Sequence, residues 1–232
     1  MKKQLLILSA IIGIFFFNSC KEEDDNTDLK PVSKSINFQN IKNYVGDSFS
    51  RVNGYILIKG YKQIEYSETN YENNLIHNYV YLSKDSVKYI KLQTFNNIVF
   101  ACEYHYGDMY VINTNVDNVF SEYKNLSNEA NNLFSGYNYT GFLDEDSYSN
   151  HQDLIYVFDS VKYDMNWCDE KWEENNIRKA KVSYFNEDYF LPVPPYPINH
   201  VAVEYWDYSF SPYINFKSLA NEDRPFINLH HK

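Results

Sequence analysis

Glycine, proline, cysteine and basic charge are all scarce in this 232-residue chain. Its seven glycines are not clustered, whereas loops that cradle phosphate groups need glycines so that backbone N–H groups can approach the anion. We therefore expect neither a nucleotide nor another cofactor. The Gly-x-Ser-x-Gly pattern of serine hydrolases and the His-Glu-x-x-His pattern of zinc peptidases are both absent from the sequence. The sequence accordingly assigns no catalytic residue and no metal ligand.

The shortage of basic residues also limits the kinds of partner that the chain can bind. Lysine and arginine number 21 against 31 aspartates and glutamates, which gives a formal net charge of -10. An acidic chain is repelled by phosphate backbones, and binding to nucleic acid requires a basic patch to offset that repulsion. No such patch interleaved with aromatic residues occurs in the sequence. We expect no nucleic-acid partner.

The amino-terminal segment has the features of a secretory signal. Lys2 and Lys3 precede an uncharged apolar run over residues 5–17. As a helix this run would span about 20 Å, which is short of the ~30 Å hydrocarbon core of a bilayer. A basic start, a short apolar core and small residues at the exit are typical of a cleaved signal peptide. We predict a signal peptide over residues 1–19.

The residues that follow the apolar run suggest a lipid anchor. Phe17-Asn18-Ser19-Cys20 resembles a bacterial lipobox, although Phe17 stands where leucine is usual. The next residues, Lys21-Glu22-Glu23-Asp24-Asp25, resemble the export signal of surface lipoproteins in the Bacteroidetes. The resemblance implies that Cys20 is lipidated with fatty-acyl chains such as palmitate. It also implies attachment to the cell outer membrane, with the protein exposed at the surface.

The remaining chain divides into a tether and a body. Residues 20–34 are polar and acidic, so we predict a flexible tether there. We predict a single β-rich globular domain over residues 35–232, since no long linker interrupts them. The acidic stretch at 144–147 is the best candidate for a boundary if the body has two halves.

Two cysteines remain once Cys20 is assigned to the anchor. Export leads to an oxidising compartment, where Cys102 and Cys168 could be joined in a disulfide. Alternatively they are two separate buried thiols, which proteins tolerate well. The spacing in sequence does not decide between these alternatives.

The pattern of the body predicts an α+β fold that is mostly antiparallel sheet with one packed helix. Val, Ile, Tyr and Phe dominate short runs bounded by turn residues, which is typical of antiparallel strands. The predicted strands are 54–61, 78–83, 87–95, 97–106, 108–114, 181–190 and 200–210, with strand, turn and strand over 154–163. Apolar residues recur at helical spacing at about 117–135. We expect an amphipathic or irregular segment at 167–180 and an extended proline-rich connector at 191–197.

The pentapeptide Asp-Ser-Val-Lys-Tyr occurs at 85–89 and again at 159–163. It is either the remnant of a duplicated hairpin or a coincidence in a biased composition. Asp-Ser-Val also resembles a short acceptor motif for O-glycosylation of exported Bacteroidetes proteins. The resemblance makes Ser86 and Ser160 candidate acceptors.

Three tryptophans form the most suggestive set of candidate ligand-binding residues. Trp167 and Trp172 lie among the acids of residues 167–174, and Trp206 precedes another aspartate. Aromatic faces and carboxylates together can recognise the apolar surface and the hydroxyls of a sugar. The alternative is that the tryptophans are partly buried anchors and the acids form a solvated face.

These features favour a non-catalytic binding or accessory protein at the cell surface, with an extracellular glycan or protein as its ligand. A glycoside hydrolase that uses carboxylates of residues 167–174 is the main alternative. A structural envelope protein without a small ligand is the third.

Overall fold

The computed structural model describes residues 36–71, 73–107, 115–189 and 196–211, all within one compact unit. Its helices are α1 (Phe38–Tyr44), α2 (Phe49–Ile58), α3 (Val116–Leu133) and α4 (His151–Val161). Its strands are β1 (Lys62–Tyr71), β2 (Asn74–Leu82), β3 (Lys88–Phe95), β4 (Ile98–Gly107), β5 (Asn138–Leu143), β6 (Asp146–Tyr148), β7 (Trp167–Glu174), β8 (Arg178–Tyr189) and β9 (Tyr196–Asp207). A single 3-10 turn, Tyr208–Phe210, follows β9.

The strands of the described residues form one antiparallel sheet in the order β1-β2-β3-β4-β9-β8-β7-β5-β6. The strands β1–β4 and β5–β8 make up its two halves, and β9 joins them because it pairs with β4 on one side and β8 on the other. The predicted α+β class, dominated by antiparallel sheet, is confirmed. β4 lies next to β9 at the centre of the sheet.

The turn between β3 and β4 shows how local sequence sets the pairing. Asn96 and Asn97 have φ angles of 50° and 65°, and Phe95 pairs directly with Ile98. Two consecutive left-handed residues make a turn whose twist matches that of the flanking strands, and asparagine tolerates this conformation. Turn residues were expected to bound the predicted strands 87–95 and 97–106, and this expectation is confirmed.

All four described helices pack on one face of the sheet. Helix α3 turns one side towards β8 and β9, and this side consists of Val119, Phe120, Tyr123, Leu126, Ser127 and Ala130. The side chain of Asn115 accepts a hydrogen bond from the Asp117 backbone and so caps the helix. The predicted helix at 117–135 is therefore confirmed, with observed bounds Val116–Leu133.

Two predicted strand regions are helices, and α1 lies where the sequence predicted no element, so the described chain has four helices where the sequence predicted one. In α2, Val52 and Ile56 face the core, but exposed Leu57 and Ile58 make the sequence look uniformly apolar, like a strand. The region 154–163 was predicted as strand, turn and strand, and most of it lies in α4. Because apolar residues occupy both its buried and its solvent sides, the spacing of three and four is hidden in the sequence.

Helix α4 is defined by its cap and its packing. The Asn150 side chain accepts a hydrogen bond from the Asp153 backbone, which starts the helix. His151, Leu154 and Phe158 then form its buried side. Gly141 of β5 lies directly beneath, where a Cβ atom would come within 2.5 Å of Leu154 Cδ1. This close approach requires the missing side chain of glycine.

One further expectation is corrected, and one pair of alternatives is decided. Residues 167–180, predicted to be amphipathic or irregular, form β7, a turn and the start of β8. The two copies of Asp-Ser-Val-Lys-Tyr occupy different structures, because 85–89 lies at the turn into β3 and 159–163 ends α4. The repeat is therefore not a duplicated hairpin.

Several predictions fall on residues outside the described part of the chain. These are the signal peptide at 1–19, the lipidated Cys20, the tether at 20–34 and the strand at 108–114, together with most of the connector at 191–197. Among the helices that the structure describes, none combines the length and apolar character needed to span a membrane.

Candidate functional site

A row of charged side chains crosses the middle of the sheet on the face opposite the helices. Its members are Lys171 (β7), Lys181 (β8), Glu204 (β9), Glu103 (β4) and Lys91 (β3), each directly opposite the next in the strand pairing. Directly opposed residues in antiparallel strands have Cβ atoms about 5 Å apart, so the row is continuous. We call this row the charged belt, and the sheet face that carries it the belt face.

Ion pairs connect side chains within the belt and also tie the belt to the neighbouring row of side chains. Lys181 Nζ lies 3.0 Å from Asp169 Oδ2, and Lys91 Nζ lies 3.4 Å from Glu103 Oε2. Glu103 Oε1 also contacts His105 Nε2. None of these five side chains is more than 19% exposed. Their charges are therefore screened by solvent less than those of ordinary surface pairs.

The pKa values of the two belt glutamates differ widely, although the two residues stand directly opposite each other in the sheet. Burial, reinforced by the negative charge of Glu103, raises the pKa of Glu204 to about 8. Burial also opposes ionisation of Glu103, but His105 and Lys91 outweigh it and lower its pKa to about 2. Near neutral pH the pair therefore holds one proton, which resides on Glu204.

A row of rings runs beside the belt on the same face. Tyr89 stacks on His105 with ring centroids 4.0 Å apart, and Phe185 stacks on His200 at 4.9 Å. The two histidine rings are 6.0 Å apart, and Trp167 lies opposite Phe185 in the strand pairing. We call these five residues the ring row. Its outer members Trp167 and Phe185 are partly exposed, so the row reaches solvent at the β7 end.

A shallow depression of about 220 Å³ lies where the belt meets β5. Its lining consists of Asn138, Thr140, Lys171, Glu173, Asn175 and Asn176. Every one of these side chains is polar, and Lys171 is shared with the belt. The depression therefore offers amide, hydroxyl, ammonium and carboxylate groups to a ligand, and no apolar side chain.

The three tryptophans predicted to bind ligand do not come together. Trp167 lies in the ring row. Trp172 is buried on the helix side, with its ring centroid 5.4 Å from that of Tyr139. Trp206 is buried on the belt face, but it lies six residues along β9 from His200 of the ring row, or roughly 20 Å. The sequence thus identified one member of the candidate site and two core residues.

The acids of residues 167–174 are divided between the two faces of the sheet. Asp169 and Glu173 lie on the belt face. Glu170 is fully buried on the helix side, where it accepts hydrogen bonds from Tyr123 (2.7 Å) and Tyr139 (2.9 Å). The sheet therefore separates Glu170 from Asp169 and Glu173, and the latter two lie four residues apart along β7, or roughly 13 Å.

Glu170 instead organises a buried polar network. It contacts His151 Nδ1 at 2.6 Å and the Ser127 hydroxyl, in addition to the two tyrosines. His151 Nε2 is 2.9 Å from Asn128 Oδ1. The network joins α3, α4, β5 and β7, so one carboxylate fixes how two helices sit on the sheet.

Cys102 and Cys168 are free, buried thiols, so the disulfide is not formed. β9 and β8 lie between β4 and β7, which places the two cysteine strands about 14 Å apart, beyond the reach of a disulfide. Burial raises the pKa of both thiols, which makes them poor nucleophiles. The alternative of two separate thiols is therefore the one that the structure has.

Sequence reasoning missed Glu103, Glu204 and Lys181. The available signal was a lone charge at an alternate position of an otherwise apolar strand, as in VFACEYHY and VAVEYW. Such a residue must face away from the core or be paired. Only the pairing of β4 with β9, distant in sequence, shows that these charges lie side by side.

Comparison with protein families, curated proteins and solved structures found no match. Among the described residues, no group of three or more His, Cys, Asp or Glu side chains is arranged to hold a metal ion. The geometry of the belt face is therefore the basis for a functional proposal.

Removing the charge of Glu170 should destabilise the fold. We expect Glu170→Gln to lower the free energy of unfolding by about 3 kcal/mol, because it leaves the buried donors around it without their charged acceptor. Glu174→Gln, a matched change at a surface ion pair with Arg178, should alter it by less than about 1 kcal/mol. Urea denaturation followed by tryptophan fluorescence measures both. Equal effects would show that the network does not hold the helices.

The protonation of Glu204 should make stability depend on pH. Its pKa is raised on folding, so the folded chain keeps a proton that the unfolded chain releases, and stability falls as pH rises from about 5 to 8. The slope contributed by this one group reaches at most about 1.4 kcal/mol per pH unit. We expect Glu204→Gln to remove it, in denaturation curves recorded at several pH values.

The matched control is Glu145→Gln, at an exposed turn position. The comparison concerns slopes, since either substitution can change the absolute stability. A Glu204→Gln protein that keeps the wild-type slope would contradict the assignment of the proton to Glu204.

Proposed function

We propose that this chain is a surface lipoprotein, anchored in the outer membrane through acylated Cys20, whose belt face binds an extracellular glycan. One observation carries the proposal. The described helices cover one face of the sheet, while the other carries polar and aromatic side chains in register across five strands, and these side chains are partly exposed at the β7 end.

The chemistry of the belt face suits a hydroxyl-rich ligand. The depression at β5 and β7 supplies donors from Lys171, Asn175 and Asn176 and acceptors from Glu173 and Thr140. Sugar hydroxyls both donate and accept hydrogen bonds, so a mixed polar lining of this kind can hold them. The partly exposed rings of Trp167 and Phe185 lie on the same face, with Trp167 roughly 13 Å along β7 from Lys171, so a chain of sugars could contact both the rings and the depression.

Anchoring through lipid is consistent with a binding role. More than one acyl chain is needed for stable attachment, and acylation of Cys20 would provide several. The tether at 20–34 would hold the body away from the lipid headgroups. An acidic body is not attracted to an anionic surface, so the belt face would stay accessible to large ligands.

The hydrolase alternative now rests on a different pair of acids. Glu103 and Glu204 are the carboxylates that the structure brings together, with their pKa values shifted in opposite directions. Two carboxyl groups whose pKa values are shifted in opposite directions can serve as the general acid and the general base of a catalytic site. Glu103, however, is already held by Lys91 and His105, which suits a structural role better.

A thermal-shift screen of the purified full chain against extracellular oligosaccharides tests the proposal. A ligand at one hundred times its Kd should add about 2.7 kcal/mol of stability, which corresponds to roughly 5–11 °C for a domain of this size. We expect the double variant Lys171→Ala/Glu173→Ala to bind the same oligosaccharide at least about tenfold more weakly, since each good polar contact is worth about 1 kcal/mol.

The matched control is Lys62→Ala/Glu65→Ala, which removes the same two side-chain types from exposed positions of β1. It should bind like the wild type. Cleavage of the oligosaccharide would support the hydrolase. The absence of any shift across the screen would contradict glycan binding and favour a protein partner or a structural role.

The anchor is tested separately. Cells labelled with an alkyne analogue of palmitate should yield labelled protein from the wild type and from Cys168→Ala, and no label from Cys20→Ala. The two variants each lose one thiol, but only Cys20 follows the lipobox. Label retained in Cys20→Ala would show that another residue carries the lipid.

A further inference from the structure

An amine and a carboxyl group lie in contact at the centre of the belt face. Lys181 Nζ of β8 is 3.0 Å from Asp169 Oδ2 of β7, and the two side chains are 13% and 19% exposed. Glu204 stands directly opposite Lys181 on β9. The cluster thus combines a nucleophile, an acceptor carbonyl and a second carboxyl group within three adjacent strands.

As an ion pair this contact is incompletely satisfied. The second carboxylate oxygen, Asp169 Oδ1, is buried and accepts no hydrogen bond in the structure. Lys171 lies directly opposite Lys181, which places two positive charges side by side. Burying a charge without full hydrogen bonding is unfavourable, and so are like charges in opposed positions. Conversion of the ion pair to a neutral amide would remove the buried charge on Asp169 and the repulsion between Lys171 and Lys181.

We propose that Lys181 and Asp169 become joined by an intramolecular isopeptide bond, with Glu204 as the proton-transfer group. The ammonium of Lys181 first gives a proton to the Asp169 carboxylate, which leaves a neutral amine beside a neutral acid. The nitrogen lone pair attacks Cγ of Asp169 to form a tetrahedral intermediate. A C–O bond then breaks, and one water molecule leaves as the amide forms. The inference is independent of glycan binding.

The surroundings support each part of this step. Nζ is already within 3.0 Å of an oxygen bonded to the carbon that it would attack, which is close to the approach required for reaction. Glu204 carries a proton up to about pH 8, so it can protonate the departing hydroxyl and recover a proton from the nitrogen. The charges that face Glu204 are those of Glu103, Lys91, Lys181 and Asp169.

The second lysine–carboxylate contact of the belt provides an internal comparison. Lys91 Nζ lies 3.4 Å from Glu103 Oε2, farther than the 3.0 Å between Lys181 Nζ and Asp169 Oδ2, and His105 holds the other oxygen of Glu103. Asp169 lacks a histidine of this kind among its described partners, and its neighbours across β8 and β9 are the small residues Ser183 and Ala202. The bond is therefore expected at Asp169 and not at Glu103.

Peptide mapping of the full chain by mass spectrometry tests the proposal. After alkylation and trypsin digestion, an isopeptide bond joins residues 163–171 to residues 180–217, because a modified Lys181 is no longer cleaved. The expected product has the summed mass of the two peptides less one water. Lys181→Arg and Asp169→Ala should abolish it. Lys179→Arg, at the neighbouring Lys179–Glu173 pair, should retain it.

Two further variants keep the test decisive if others fold poorly. Asp169→Asn should give the identical cross-linked product, because the amide nitrogen leaves as ammonia instead of water. Glu204→Gln should slow formation at least about tenfold, as expected for loss of a proton-transfer group. Recovery of only the separate peptides from folded wild-type protein would overturn the proposal, and an unchanged rate in Glu204→Gln would overturn the role of Glu204.

Discussion

The alternation of side chains along the central strands is the constraint on which the rest of the structure depends. On β4, Tyr104 faces the helices while Glu103 faces away, and on β9 Val203 and Glu204 divide in the same manner. A slip of one residue in the pairing would bring the charged belt under the helices and expose the apolar core. Two requirements therefore fix the strand register together. The apolar side chains must face the helices, and the charged side chains must face the opposite side of the sheet.

The sequence predicted those elements whose local signals agreed with one another. Helix α3 combines an asparagine cap with apolar residues three and four apart, and the turn at Asn96 and Asn97 follows from a backbone conformation that asparagine tolerates. Helices α2 and α4 were missed because tertiary packing chose the helix over the strand preference of their Ile, Val and Tyr residues. In both, exposed apolar side chains such as Ile58 and Tyr156 obscure the buried side.

The candidate site was harder to predict, because it arises from pairing between strands far apart in sequence. Residue type drew attention to the tryptophans, yet Trp172 and Trp206 are core residues. The belt requires β9 to lie between β4 and β8, which brings Glu103 and Lys181 to either side of Glu204. A second buried carboxylate, Glu170, has a different role from Glu204. It is surrounded by donors and holds the helices in place, whereas Glu204 keeps its proton among other charged groups.

The position of β9 in the sheet has a consequence for how such a chain would cross a membrane. The two halves of the sheet meet only through a strand that ends at Asp207, so the native hydrogen-bonding pattern cannot be completed while that segment is still unsynthesised or on the far side. Contacts between residues distant in sequence also form slowly. An exported protein must stay unfolded until it has passed through a narrow channel. In a chain exported as proposed above, late closure of the sheet through β9 would keep the polypeptide unfolded during translocation.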